Sequence, residues 1–314
     1  MDYKIKKIIF VIFLSLGFSQ EIIGEGLQGQ ELIQYLVNNY KTSDVLSYNS
    51  ARDAMYGYID NENGSVKCIY TEFSEFSVDN VPNNNPRPYI HENGLNCEHL
   101  WPQSLGAGNS PMKSDLHHLR PCKENVNSSR GNKPYDESND SQTQTWFWLS
   151  YQLDNPPSQN IDKYSESASG VFEPREEVKG DIARAMFYFY TMYSNVADDD
   201  FFNQQKDILY QWHLDDSIEQ AEISRTMEIA NYQDYPNPFI LDETLVQRCY
   251  FEIEFVLGDV NQDSIINVLD IIVIMNYILN VIDLTPEQIA LSDMNEDQGI
   301  NILDIVLLIG EILS

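Results

Sequence analysis

The sequence predicts a mixed α+β domain, with helices around a small sheet, followed by a small all-α module at the C-terminal end. Three observations lead there. Apolar residues recur at helical spacing in residues 27–60, 176–195 and 201–231. Short strand-like runs lie between these helices. From Gly258 to Ser314 the chain carries ten acidic residues and no lysine or arginine, and an apolar pattern there repeats at an offset of 34 residues, Asp259 to Asp293. A repeat this close predicts a duplicated supersecondary unit.

Taken in order, Lys4, Lys6 and Lys7 give the chain a basic start, and Ile8–Phe18 is an apolar run too short to span a bilayer. Gly17 and Ser19 put small residues at −3 and −1 of a cut before Gln20. Residues 1–19 therefore read as a cleaved signal peptide, 20–252 as the larger domain and 258–314 as the module, in a secreted or surface-attached protein with no later membrane span. Leu32, Ile33, Leu36 and Val37, then Ala51, Ala54, Met55 and Tyr58, predict helix. "VKCIYTEFSEF" alternates as a strand, and "DNVPNNNPRP" reads as loop. Leu116–Leu119 reads as a second strand, broken at Pro121 and followed by a short helix. "SQTQTWFWLSYQLDN" is expected to begin a buried aromatic helix. "EEVKGDIARAMFYFYTMYSN" opens on acids and carries an apolar face, as a helix does, and "YPNPF" ends the helical stretch over 201–231.

The formal net charge of −30 argues against indiscriminate attraction to anionic surfaces, nucleic acid included. The average hides a local exception. Between Arg87 and Lys133 six basic residues face four acidic ones, and four of the five histidines (His91, His99, His117 and His118) fall there. The fifth, His213 beside Trp212, reads as structural. Four cysteines (Cys68, Cys97, Cys122 and Cys249) allow three full disulfide pairings, and none is spaced for a zinc site. A bridge at Cys97 would brace the neighbouring Glu98–His99 pair.

In the module, Asp259, Asn261, Asp263, Asn267 and Asp270 stand at positions 1, 3, 5, 9 and 12 of a twelve-residue loop, and Asp293, Asn295, Asp297, Asn301 and Asp304 repeat the set. Backbone carbonyls at position 7 come from Ile265 and Gly299. Calcium takes six to eight hard oxygen ligands, and oxygens at alternate loop positions wrap it. Two structural Ca²⁺ ions are expected. This stretch resembles a dockerin domain, which implies a cohesin-like or surface partner. It departs from the pattern at position 6, where Ser264 and Gln298 replace glycine, and at positions 10 and 11, where Val268–Leu269 and Ile302–Leu303 replace hydroxyl residues.

In "CEHLWPQS" a neutral imidazole at His99 can take a proton from water near neutral pH. Glu98 offers a charged oxygen ligand and Asn127 a neutral one, Arg130 the fork that grips a phosphate, and one divalent ion would stabilise a leaving oxygen. Asn127 also opens "NSS", a glycosylation acceptor, which a metal ligand would not tolerate.

Residues 30–250 resemble the endonuclease I family of secreted and periplasmic nucleases with a ββα-metal (His-Me finger) site. The resemblance rests on "YNSARDAMYGYID", "CEHLWPQS", "SDLHHLRP", "VNSSRGNKPY" and "FEPREEVKGDIARAMFYFY", in that order. It implies His99 as general base, Glu98 and Asn127 as ligands of Mg²⁺ (Mn²⁺ as a substitute), and endonucleolytic cleavage of DNA or RNA to 5′-phosphate ends. His117, His118 and Arg120 are candidate substrate contacts. Where some relatives carry a glutamate two residues before Asp115, this chain has Lys113, and the phosphate arginine of some relatives has no clear counterpart. The competing expectations are a calcium-dependent binding or assembly protein with an inactive nuclease domain, and a phosphodiesterase or RNase of narrow specificity.

Overall fold

The computed structural model of the chain describes residues 22–42, 45–74, 81–82, 84–251, 256–262 and 265–313. The expected signal peptide lies outside them, as do Asp263 and Ser264. The chain forms two compact units that divide between Phe251 and Glu252.

The first unit opens with α1 (Gly29–Tyr40), which buries Leu32 and Leu36, and α2 (Tyr48–Ala54), whose first turn is capped by the Ser47 hydroxyl accepting from Ser50 N. A wide π turn, Met55–Ile59, continues α2. A short hairpin follows, β1 (Asn61–Glu62) and β2 (Ser65–Val66), then α3 (Arg87–Glu92). Next come β3 (Leu95–His99), β4 (Leu119–Lys123) and α4 (Glu124–Arg130). β3 and β4 pair antiparallel, from Leu95 opposite Lys123 to His99 opposite Leu119. β5 (Thr143–Trp148), β6 (Tyr151–Leu153), β7 (Ser165–Ala168) and β8 (Phe172–Glu173) form an antiparallel sheet in the order β6-β5-β7-β8. The helices α5 (Lys179–Tyr193), α6 (Asp199–Asp215), α7 (Gln220–Gln233), α8 (Pro238–Leu241) and α9 (Leu245–Tyr250) complete the unit.

α5 is buried nearly all round and forms the axis of the core. Phe189 stacks on Trp101 at 4.8 Å between ring centroids, and Phe187 meets Phe202 edge-on at 5.6 Å. The ends of the unit are tied together. Ile23 N donates to Asp242 Oδ2 at 2.9 Å, and Arg248 Nη2 donates to the carbonyls of Gly24 and Leu27.

Three local expectations are corrected. "SQTQTWFWLSYQLDN" is not a helix but the β5–β6 hairpin, turned on Leu149 and Ser150, with Leu149 at φ 50°. Its threonines and aromatics suit a pleated half-buried surface, and the turn lacks the Asn-Gly signature that announces such a hairpin. "VKCIYTEFSEF" is a strand only at its first residue and then turns over Ile69–Thr71; its last two residues lie outside the described ones. Leu116–His118 is a 3₁₀ turn, and the strand begins at Leu119 and runs through Pro121. A two-stranded sheet has an outer edge on each strand, so a proline without an N–H is accommodated. Its carbonyl accepts from Ile69 N at 2.9 Å.

The second unit contains α10 (Val268–Ile278), α11 (Pro286–Ser292) and α12 (Ile302–Ile312) around Val260, Ile274, Leu291, Ile305 and Leu308. α11 was not anticipated. Its signature is present in the sequence, with Thr285 capping, Pro286 at the first position and Gln288 closing the capping box. No helix among the described residues is long and apolar enough to cross a membrane.

Candidate active site

Side chains alternate across a strand, so β3 presents Asn96 and Glu98 to one face and Cys97 and His99 to the other. α4 crosses the first face. Asn127 Nδ2 donates to Asn96 Oδ1 at 2.8 Å and to the Cys97 carbonyl at 3.2 Å. Its nitrogen is committed to β3, which leaves Oδ1 as the free end. Glu98 is buried, and Tyr70 Oη donates to its Oε1 at 2.8 Å while Arg130 Nε lies 3.5 Å from the same atom. Both side-chain donors converge on one oxygen. Burial pushes the Glu98 carboxyl up to about 7, although Arg130, Tyr70 and the His99 backbone pull it down. A buried carboxylate and the amide oxygen of a helix bonded to the same strand are the donor types that a hard divalent cation such as Mg²⁺ takes.

On the other face, His99 Nε2 donates to the Lys113 carbonyl at 3.1 Å, which fixes the tautomer that carries its lone pair on Nδ1. Gln103 Nε2 donates to that Nδ1 at 3.3 Å. The ring of Tyr48 lies 5.5 Å from the His99 ring, and that of His118 5.4 Å away. Burial, then His118 and the cations Lys113 and Arg52, push the imidazole down to about 3, so it is neutral through the ordinary pH range.

The structure ties Asn127 to β3, the strand that carries Glu98 and His99 on opposite faces, and gives Arg130 a different place. Arg130 is wholly buried; Nη2 donates to the Leu100 carbonyl at 2.6 Å, Nη1 to Gly131 O at 3.0 Å, and the guanidinium lies over the Tyr135 ring. It holds Glu98 and the end of β3 and does not reach out to grip a phosphate. The three candidate substrate contacts are interior as well. His117 Nε2 donates to Tyr235 O at 2.9 Å and His118 Nε2 to Met112 O at 2.7 Å. Arg120 is held between Asp60 and Asp181. The fifth histidine, His213, donates from Nε2 to Glu243 O.

Beneath this segment Asp115 is a buried hub. It accepts from Tyr188 Oη, Tyr193 Oη, Gln233 Nε2 and His117 N, at 2.7–3.0 Å. Burial would raise its carboxyl, but the neighbouring His117 and His118 rings, then the hydrogen bonds from Gln233 and Tyr193, keep it below the usual range. The hub steadies the turn whose Lys113 carbonyl holds His99. Tyr70, Tyr135, Gln103 and Tyr48 are site residues that sequence reasoning missed. Gln103 stands four residues after His99 in the same stretch, a spacing that could have flagged it, whereas the three tyrosines come from separate elements that no spacing links to the Glu–His pair.

The expected bridge at Cys97 is not formed. All four cysteines are free thiols, and Cys97 Sγ points to Glu98 O at 3.6 Å. Cys68 and Cys122 approach to 3.8 Å between sulfurs.

In the second unit the repeated loops close on themselves. Asp270 accepts from Asn261 N and Asn267 N, while Asp304 Oδ2 accepts from Asn301 N. Asp293 accepts from Asp297 N and Gln298 N. Gln298 makes the turn expected of glycine, at φ 67°. Asp304 is wholly buried, and its Oδ1 has no hydrogen-bond partner. A buried orphan carboxylate oxygen at the twelfth loop position fits a bound cation.

With this geometry in hand, the class of the protein follows from comparison. Residues 23–243 match the Endonuclease I family, and the chain belongs to it; residues 257–313 match the Dockerin type I domain. Among individual proteins, the chain is 26% identical over 235 residues to an extracellular ribonuclease of Bacillus subtilis (strain 168), which covers 69% of this chain and 73% of that protein. It is 31% identical over 162 residues to an extracellular ribonuclease of Bacillus amyloliquefaciens, covering 46% of this chain and 50% of the relative, so it spans half of that protein's length.

Proposed function

We propose that the chain is a secreted, metal-dependent, nonspecific endonuclease that hydrolyses phosphodiester bonds of DNA, RNA or both, leaving 5′-phosphates, and that its C-terminal unit attaches it to a cohesin-like or surface partner. The observation that carries the reading is a tautomer-fixed imidazole and a buried carboxylate at successive positions of β3, the strand to which Asn127 of the crossing helix is hydrogen-bonded. The family membership supports the reaction class, and the ribonuclease names of the two relatives favour RNA among the substrates.

His99 Nδ1 takes a proton from a water molecule as the water oxygen attacks phosphorus in line with the O3′ leaving group. The P–O3′ bond breaks, the O3′ oxygen takes a proton from solvent to leave as a hydroxyl, the phosphate stays on the 5′ oxygen, and the imidazolium returns its proton to solvent. Gln103 must release Nδ1 for the water to reach it. Glu98 and Asn127 would hold Mg²⁺ or Mn²⁺, which supplies charge stabilisation at the leaving oxygen. Arg130 and Tyr70 keep the Glu98 carboxylate oriented. In the tail, Asp259, Asn261, Asp263, Asn267 and Asp270 with the Ile265 carbonyl, and Asp293, Asn295, Asp297, Asn301 and Asp304 with that of Gly299, would each hold one Ca²⁺. The buried, partnerless Asp304 Oδ1 supports this.

The test is digestion of plasmid DNA and total RNA in Mg²⁺ by the purified chain, beside a folded His99→Ala variant. Cleavage lost in the variant supports the proposal. An inert parent in Mg²⁺, Mn²⁺ and Ca²⁺ would sink it in favour of the assembly-protein reading.

A further inference from the structure

A hydrolase for a polyanion needs cations at its rim, and the arginines that sequence reasoning nominated are interior. Two others flank His99. Arg52, on α2, places its guanidinium carbon 4.2 Å from the centroid of the Tyr48 ring, and Lys113 Nζ lies 5.0 Å from the same centroid. Tyr48 itself packs against His99. Both cations are partly exposed, and neither forms an ion pair among the described residues, in a chain with 49 acidic side chains. Arg52 Nη2 donates to Asn49 Oδ1 at 2.7 Å, while its Nε has no hydrogen-bond partner. Two partly exposed cations without a carboxylate partner among the described residues keep their charge available to an anion from outside. Lys113 is fixed by its own carbonyl, which receives His99 Nε2.

We infer that Arg52 and Lys113, held on the Tyr48 ring, are the substrate-phosphate clamp of this site and take the non-bridging oxygens of the nucleic-acid backbone beside His99. The inference rests on the nuclease reading above and deepens it. Tyr48 is a positioning residue: its π face holds both cations where Coulomb attraction alone would let them swing toward the abundant carboxylates. Contacts to phosphate carry no base information, so the clamp suits a nonspecific nuclease. It also places a locally positive edge on a strongly negative chain.

The experiment uses the full chain with bound calcium. Steady-state cleavage of a fluorescein-labelled single-stranded oligonucleotide is measured for wild type, Arg52→Gln, Lys113→Gln, Arg52→Lys and Lys67→Gln. Lys67 is paired with Glu62 in another part of the fold and serves as the charge control. The same substitutions in a His99→Ala background give binding as a function of salt. Arg52→Gln and Lys113→Gln are each expected to lower kcat/KM by about ten- to a hundredfold, chiefly through KM. Each should reduce the slope of log affinity against log salt by about 0.7, the increment for one phosphate on a single strand. Arg52→Lys should keep most of the slope, and Lys67→Gln should change neither quantity. Wild-type salt slopes in both Gln variants, with wild-type cleavage intact, would overturn the clamp and leave the nuclease reading standing. A parent that neither cuts nor binds nucleic acid would overturn both. If Arg52→Gln does not fold, Lys113→Gln decides the matter through the same slope.

Discussion

His99 owes its proposed reactivity to a single carbonyl. The hydrogen bond to Lys113 O sets which nitrogen is basic, and burial keeps the ring uncharged. Removing the imidazole by His99→Ala is expected to slow cleavage by about 10²–10⁴-fold, the usual worth of a general base, with the melting curve unchanged in shape. Asn127→Ala should cost about a hundredfold or more, and added Mg²⁺ should recover part of it if Oδ1 is a ligand. Arg130 acts by a different route. Arg130→Ala strands the Glu98 carboxylate and the Leu100 carbonyl in the interior, so a loss of about 3–5 kcal/mol in denaturant unfolding is expected. A phosphate-gripping arginine would instead leave stability nearly intact and raise KM.

Elements were legible where one period dominates. α5 is read directly from "IARAMFYFYTMY", and the paired calcium-loop pattern marks out α10 and α12. β5 was not legible, because two threonines, a glutamine and three consecutive aromatics look like a buried helix until a partner strand is known. The same holds for the site. Glu98, His99 and Asn127 stand out as residue types near one another in the chain. The burial of Arg130, and the arrival of Tyr70 and Tyr135 at Glu98, are set by folding across distant segments. The 3₁₀ turn before β4 shows why: its histidines face inward because α5 sends Tyr188 and Tyr193 to Asp115. Tyr193→Phe removes one of those charge-assisted hydrogen bonds and is expected to cost about 1.5–3 kcal/mol. It should also blur the Lys113–His99 geometry, read as a fall in kcat with KM unchanged.

At the scale of the molecule, acid is the weak direction for the inward-facing histidines. His99, held down to about 3, and His117, held down to about 4, stay neutral in the fold, while the unfolded chain protonates them near 6.5. His118 and His213 are depressed in the same direction. The stability they preserve is full above about pH 6.5 and drains as pH falls toward 4, each group adding a slope of about 1.4 kcal/mol per pH unit. The carboxyls of Glu98, Glu166, Glu173 and Glu222, pushed up by burial to about 7, 8, 7 and 7, act in the opposite direction over the same range, so the histidine part is read ring by ring. NMR titration of the imidazole signals should find His99 and His117 neutral down to about pH 5; a ring that titrates near 6.5 would contradict the buried-neutral assignment. Calcium acts separately. With its own small core and two acidic loops, the second unit should melt early in a calcium-selective chelator, while the first keeps its transition. Calorimetry would show one peak moving and one staying. Finally, Ile23 is tied to Asp242, Gly24 and Leu27 to Arg248, and the Asp115 hub to Gln233, so both the seam and the catalytic turn wait for the last tenth of the domain. During synthesis the ribosome therefore extrudes the Glu–His strand long before it can be assembled. A chain emerging toward export passes the cell's own transcripts as an incomplete enzyme, and its hydrolytic competence is deferred until the whole domain has been delivered.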